Sequence, residues 1–293
     1  MKIAIHSKLF RNEHKPYVQK LIDCLSKHKA EIYFNKTYHE LIKSEVAVDH
    51  IHGLFENYHD FKKLNIDFMI SLGGDGTILD TVTIVRDSKV PILGINLGRL
   101  GFMAMIEKNQ IEIAVDAIFN NSFEIDSRTV LHLESSIPIF GENTFALNDF
   151  TILKRDTSSM VIVHAYVNGE FLNSYWADGI IVATPTGSTG YSLSCGGPII
   201  FPKSGNLIIT PVAPHNLNVR PIVLSDDSII SFEIEGRAKN FLCTLDSRYE
   251  TISANFQLAV RKADFSINLL RFTDRNFLFM IQEKLKWGVD SRN

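Results

Sequence analysis

Apolar positions along this chain follow two rhythms. Over residues 1–122, short apolar runs alternate with stretches of helical spacing: "KIAI" leads to Tyr17, Val18, Leu21, Ile22 and Leu25 on one helical face, then "EIYF", then "IDFMI". That alternation predicts a parallel α/β sheet with crossover helices. "TILDTVTIV" predicts a further helix, "VPILGIN" the next strand, and Ile111, Ala114, Val115, Ile118 and Phe119 another helix. Over residues 123–270 the pattern shortens to alternating segments separated by turn residues. Asn168-Gly169, between "MVIVHAYV" and "EFLNSYW", is a hairpin signal, and this part is expected to be β-rich. Residues 271–293 return to helical spacing, with Phe277, Leu278, Ile281 and Leu285 on one side, and are expected to pack back onto the first domain.

Composition narrows the class. The 293 residues, 45% hydrophobic, suffice for one large or two ordinary domains with real cores. Basic and acidic residues nearly balance, 30 against 33, so charge makes no case for nucleic acid or a membrane surface as partner. Cys24, Cys195 and Cys243 are widely spaced and odd in number, which fits reduced thiols in the cytoplasm better than a disulfide framework or zinc cluster. "MKIAIHSKLF" holds no apolar stretch long enough for a signal peptide, and no run reaches the length of a membrane span.

The candidate chemistry begins at residues 71–77, "SLGGDGT", between a buried strand and a helix. A glycine loop at a helix N-terminus suits a phosphate, yet this one carries a carboxylate at its centre. Two readings stand: Asp75 and Thr77 cap the helix, or the loop backbone holds a nucleotide phosphate while Asp75 faces the hydroxyl that attacks it. Other chemistries drop out. The chain has no Gly-Lys pair for a P-loop, no H-E-x-x-H and no G-x-S-x-G, and glycines 94, 98 and 101 do not match G-x-G-x-x-G.

A second constellation lies at residues 175–194, "YWADGIIVATPTGSTGYSLS", where a buried strand opens into a loop of hydroxyls and glycines suited to sugars, phosphates and bases. Upstream, "FALNDFTIL" places Asn148 and Asp149 together in an apolar strand, where adjacent side chains point to opposite faces. One of them then sits in apolar surroundings and needs a partner, which a ligand would supply; the alternative is that they end the strand or cap a turn.

These residues carry a resemblance. "LGGDGT", "GINLGRLGF", "ALND", "DGIIVATPTGSTGYSLSCGGPI" and "ITPVAPHNLNVRPIVL" occur in the order found in NAD kinases, over about residues 66–224. The resemblance implies a Rossmann-like N-terminal α/β domain, a β-sandwich-like C-terminal domain, and transfer of a phosphoryl group from ATP, or in some members polyphosphate, to the 2′-hydroxyl of the adenosine ribose of NAD. It also implies Mg²⁺ or another divalent cation and a homodimer or homotetramer. Carried over residue by residue, it makes Asp75 the general base, within a nucleotide-binding loop of Gly73, Gly74, Gly76 and Thr77. Asn148 and Asp149 match the Asn-Glu pair that holds NAD, the second one methylene shorter here. Asp178 matches the aspartate at the nicotinamide end, and Thr186, Thr189, Gly190, Tyr191, Ser192 and Ser194 match the segment wrapping the dinucleotide. Ala213 matches a further NAD contact made across the subunit interface. Arg248 stands where the family often has Gln, and receives no role.

Two rival functions stay in view: a diacylglycerol- or sphingosine-type lipid kinase, which shares only "GGDGT" with this chain, and a non-catalytic NAD-binding sensor, against which the intact Asp75 speaks. His215 reads as structural, and Trp176 as either a base-stacking or an interface residue.

Overall fold

The computed structural model describes residues 1–155, 160–236, 239–272 and 277–287. The chain forms two compact units, residues 1–127 with 267–293, and residues 128–266.

The first unit is built on strands β1 (Lys2–His6), β2 (Glu31–Asn35), β3 (Gly53–Phe55), β4 (Phe68–Leu72), β5 (Ile92–Asn96), β6 (Ile106–Glu107) and β7 (Glu124–Arg128). In the sheet the order runs β3, β2, β1, β4, β5, then the late strand Ile267–Arg271, then β7, with β6 on β5. β1 pairs in parallel with both β2 and β4, placing Ile3 beside Ile32 and Phe68. Helices α1 (Lys15–Lys27), α2 (Lys36–Ile42), α3 (Tyr58–Lys63), α4 (Asp75–Val85) and α5 (Ile111–Phe119) supply the crossovers. α1 buries Val18, Leu21, Ile22 and Leu25, and α5 buries Ile111, Ala114, Val115 and Ile118, in one core with Ile3, Ile5, Ile70 and Leu93. Each of the valine, leucine and isoleucine side chains contributes about 1.5–3 kcal/mol on leaving water. The chain winds outward from β1 to β3 and then returns to the opposite side of β1 as β4. The strand order therefore reverses between β1 and β4, where open α/β sheets place their ligands beyond the carboxyl ends of the strands. "GGDGT" follows β4 at that point.

The returning segment differs in detail from its sequence pattern. Ile267–Arg271 is a strand, pairing Leu269 with Ile92 of β5. The helix after it, Phe277–Leu285, buries Phe277, Met280 and Ile281, whereas Leu278 is 52% exposed. The buried face thus runs through 280 in place of 278. Residues 273–276 and 288–293 of the expected 271–293 segment lie outside the described residues.

The second unit comprises β8 (Leu131–Ser135), β9 (Phe145–Ala146), β10 (Asp149–Lys154), β11 (Val161–Val167), β12 (Glu170–Ala177), β13 (Gly179–Ala183), β14 (Asn206–Val212), β15 (Ile222–Ser225), β16 (Ile230–Glu235), β17 (Phe241–Leu245), β18 (Arg248–Ile252) and β19 (Leu258–Lys262). One sheet has the order β15, β14, β13, β10, β17, β18 and the other β12, β11, β16, β19, β8, β9. Their inner faces share one core, in which Phe150 and Phe232 stack with ring centroids 5.7 Å apart. The β11–β12 hairpin turns at Asn168 (φ 53) and Gly169 (φ 84), the two positive φ values that a tight type I′ turn requires.

"FALNDFTIL" is not one strand. β9 lies in one sheet and β10 in the other, and the chain steps between them at Leu147 and Asn148. The apolar run is continuous because both strands face the same core, so its hydropathy hides the break. Asp178 occupies the equivalent step from β12 to β13. Asn148 and Asp178 thus stand at crossing points between the sheets.

Candidate functional site

In the first unit, Asp75 begins α4, with Gly74 as the N-cap residue and no side-chain cap. The carboxylate turns away from its own helix. Phe102 N–H donates to Oδ2 (2.7 Å), and the N–H groups of Met103 and Ala104 donate to Oδ1 (3.0 Å each). The capping reading is thereby corrected for Asp75. The segment "NLGRLGF" is shaped for this arrangement: Asn96 accepts from Gly98 N–H (2.7 Å) and donates to the Arg99 carbonyl. Glycine at 101 is obligatory, since a Cβ there would lie 1.9 Å from Asp75 Oδ1. A carboxylate offers about four acceptor sites, two per oxygen, so these three bonds leave one open on Oδ2. Around it, a Cβ at Gly74 or Gly76 would meet nothing within 4 Å, so these glycines leave bare backbone and open room at the start of α4. Thr77 packs over Gly73, which has φ +150 and where a Cβ would come within 2.3 Å of Thr77 Oγ1.

In the second unit the loop after β13 folds back over its own sheet. Ile180 and Val182 point into the sandwich core, and Ile181 and Ala183 form a small second cluster with Ile208, covered by Cys195 and Ile200. Several loop hydroxyls are used to hold this cover in place. Ser188 Oγ donates to the Pro185 carbonyl (2.7 Å) and accepts from Ile200 N–H (3.0 Å). Ser192 shares a hydrogen bond with Thr210 (2.8 Å), Thr189 donates to the Thr186 carbonyl (3.1 Å), and Arg128 donates to Thr186 (3.1 Å). The loop is thus a structural cover as well. Tyr191 and Ser194 stay exposed at its rim.

The loop presses against Asn148 and Asp149. A Cβ at Gly187 would lie 2.0 Å from the Asn148 carbonyl oxygen, and one at Gly190 would touch Asn148 Nδ2 and Asp149 Oδ2, both at 3.7 Å. Asn148 Oδ1 is buried with no hydrogen-bond partner, an arrangement that costs about 1–3 kcal/mol unless something else supplies a donor. Asp149 is only 7% exposed, and burial, then the charge of Asp246, pushes its carboxyl up to about 7. Tyr191 and Cys195 are also pushed up, first by burial.

The remaining expected positions are placed less decisively. Asp178 pairs with Lys154 (2.6 Å) and is bound through its backbone to Lys154 N–H and the Val212 carbonyl (2.9 Å each). Ala213 is exposed with φ 44, a left-handed conformation unusual for alanine. Arg248 donates to the carbonyls of Asn143 and Phe145 and lies over the Phe145 ring, so it fastens β18 to β9. A residue that the sequence reading passed over belongs here. Asp246, in the β17–β18 turn, accepts from Leu147, Asn148 and Asp149 N–H (2.9, 2.7 and 3.2 Å). A cavity of about 350 Å³ lined by Glu134, Tyr166, Glu233 and Gln257 holds none of these groups. Among the described residues, no three His, Cys, Asp or Glu side chains group as metal ligands, and no helix is long and apolar enough to cross a membrane.

A glycine loop at the point of strand reversal, with a fixed carboxylate having one acceptor site to spare, has the parts that phosphoryl transfer asks of a protein: backbone for a phosphate and a carboxylate to orient a hydroxyl. Comparison with known proteins identifies the family. The model of the ATP-NAD kinase N-terminal domain matches residues 3–123, and that of the ATP-NAD kinase C-terminal domain residues 147–272. An NAD kinase of Cytophaga hutchinsonii is 47% identical over 294 residues, and one of Flavobacterium psychrophilum 40% over 295, with 100% of both chains covered in each case. The chain belongs to the NAD kinase family and is a kinase. The fold is that of yeast NADH kinase, solved with NADH (TM-score 0.89, 24% identity, covering 100% of this chain and 89% of that one). It is also similar to an NAD kinase from Archaeoglobus fulgidus solved with ATP (TM-score 0.73, 25% identity, 98% and 99% covered).

Proposed function

We propose that this kinase holds NAD through Asn148 and Asp149, orients the 2′-hydroxyl of the adenosine ribose with Asp75, and moves the γ-phosphoryl of ATP onto that hydroxyl to give NADP. The observation that carries the reading is the buried, unpartnered Asn148 Oδ1 beside the buried Asp149. Ribose hydroxyls and a base amino group are the donors that such a pair lacks. In the reaction the 2′-oxygen bonds to the γ-phosphorus, the bridging oxygen leaves with ADP, and the hydroxyl proton passes to the open site on Asp75 Oδ2. The bare backbone at Gly74 and Gly76 supports phosphate groups of the donor there. Asp178, Thr186, Thr189, Gly190, Tyr191, Ser192, Ser194 and Ala213 complete the dinucleotide site by family resemblance.

Asp75 is committed to backbone N–H groups and the described residues contain no ligand cluster, which fits a Mg²⁺ carried by the ATP phosphates and not a cage of protein ligands. When bound, the ion neutralises phosphate charge. Polyphosphate as a second donor, a homodimer or homotetramer, and a cytoplasmic setting complete the proposal. Exposed Trp176 and Leu217 support self-association, and the free thiols of Cys24, Cys195 and Cys243 support a reducing compartment.

The test is incubation with NAD, ATP and Mg²⁺, read by an NADP-specific dehydrogenase. A dinucleotide lacking the adenosine 2′-hydroxyl should bind without being phosphorylated; label from ATP appearing on that analogue would overturn the assignment.

A further inference from the structure

The peptide groups of residues 147–149 are fully accounted for. Asp246 takes the N–H of Leu147, Asn148 and Asp149, and its own N–H donates to the Asp149 carbonyl (2.9 Å). Thr184 takes the other two carbonyls, Leu147 through Oγ1 (2.6 Å) and Asn148 through its N–H (2.9 Å). The backbone is therefore fixed on both sides while Asn148 Oδ1 stays unpartnered. Asp246 achieves this from a two-residue turn at φ 55, where glycine is the inexpensive choice. Aspartate is one of the few other residues that tolerate this conformation, and it keeps a carboxylate at the turn.

We propose that Asp246 is the positioning residue of the acceptor site: it prearranges the step between β9 and β10 so that Asn148 and Asp149 present their side chains to the nucleotide. The inference rests on the proposed role of that pair in binding NAD. It has a second consequence, because Asp246 also places a carboxylate beside Asp149. The groups acting on the two are Arg248 from β18, whose charge acts on Asp246, and Tyr191 and Cys195 from the loop after β13, which sense Asp149. Ribose hydroxyls donate to an ionised Asp149, so NAD binding should strengthen as pH rises through about 7. Without the second carboxylate the midpoint should fall.

The test is Asp246→Asn, close in size but lacking one acceptor oxygen, with NAD and ATP affinities measured separately by calorimetry from pH 5 to 9. NAD binding at neutral pH should weaken about tenfold while ATP binding changes less than about twofold, and the pH midpoint for NAD should drop. Unchanged NAD affinity, or equal loss for both ligands with an unmoved midpoint, overturns the proposal. If the wild-type protein fails to bind NAD at all, the underlying reading fails instead. Should the variant not fold, hydrogen exchange on the wild type decides. The amides of residues 147–149 should be as protected as those of β10 without NAD; protection that arises only with NAD means the ligand, and not Asp246, orders the site.

Discussion

Asp75 and Asp246 make the same construction in the two units. Each receives three consecutive N–H groups, the first on Oδ2 and the next two on Oδ1, from residues 102–104 in one case and 147–149 in the other. Their settings differ. Asp75 sits at the head of a helix with open room at the neighbouring glycines, so its remaining acceptor site is available to a reacting hydroxyl. Asp246 sits in a hairpin turn, where burial raises its carboxyl against the lowering effect of the N–H bonds and of Arg248. One array steadies the aspartate proposed as the base; in the other, an aspartate steadies the residues proposed to hold NAD. The same hydrogen-bond pattern therefore does not define a role; the open room beside the remaining acceptor site of Asp75 is what differs.

Four substitutions test that contrast. The largest effect is expected for Asp75→Asn, which should lower kcat by about 10²-fold or more while leaving NAD affinity near its original value. Near-normal turnover in a coupled assay would sink the base assignment. Next, Asn148→Ala should weaken NAD binding by about 1–3 kcal/mol without lowering the melting temperature, because the lost Oδ1 has no partner in the free protein. A fall in both affinity and melting temperature would make Asn148 a structural residue. Gly101→Ala places a Cβ against the Asp75 carboxylate and should cost about tenfold in kcat with NAD affinity retained. If kcat holds, the 102–104 array does not matter to the chemistry.

The smallest effect is on stability, through Asp149→Asn. The folded carboxyl is pushed up to about 7. In the unfolded chain it titrates near about 3.9. The folded state thus holds its proton more tightly, and the associated stability is complete below about pH 4 and lost as pH rises through about 7. The variant escapes that loss. It should melt about 3 °C or more above the parent at pH 8 and no higher at pH 4, measured without nucleotide.

Much of this was legible in the sequence where the determinants are local. The Asn168-Gly169 hairpin, the helix after "GGDGT" and the buried strand "IIVA" each rest on neighbours in the chain. What could not be read depends on distance. Asp246 meets residues 97 to 99 positions away, and it meets backbone N–H groups, which every residue but proline offers, so "LDSRYE" carries no signature. The break in "FALNDFTIL" was hidden because two sheets share one core. The hydroxyls of Ser188 and Ser192 looked like ligand groups because side-chain chemistry does not say whether a serine bonds to a sugar or to its own loop. The family resemblance supplied what periodicity could not, the roles proposed for Asn148 and Asp178.

The strand Ile267–Arg271 carries a consequence for how the chain is made. It pairs with β5, more than 170 residues earlier, and separates β5 from β7 in the first sheet. On a translating ribosome, residues 128–266 emerge in full before that strand does, so the second unit can reach its native pairing while the first still lacks one of its strands. Until then the edge of β5 is covered only at Ile95 and Asn96, by β6, and its remaining length is the kind of surface on which nascent β-proteins associate wrongly. Completion of the sheet that carries Asp75 thus waits until residues 128–266 have been made, and nascent chains stalled before residue 267 should be held by chaperones or aggregate while their 128–266 segment is already resistant to protease.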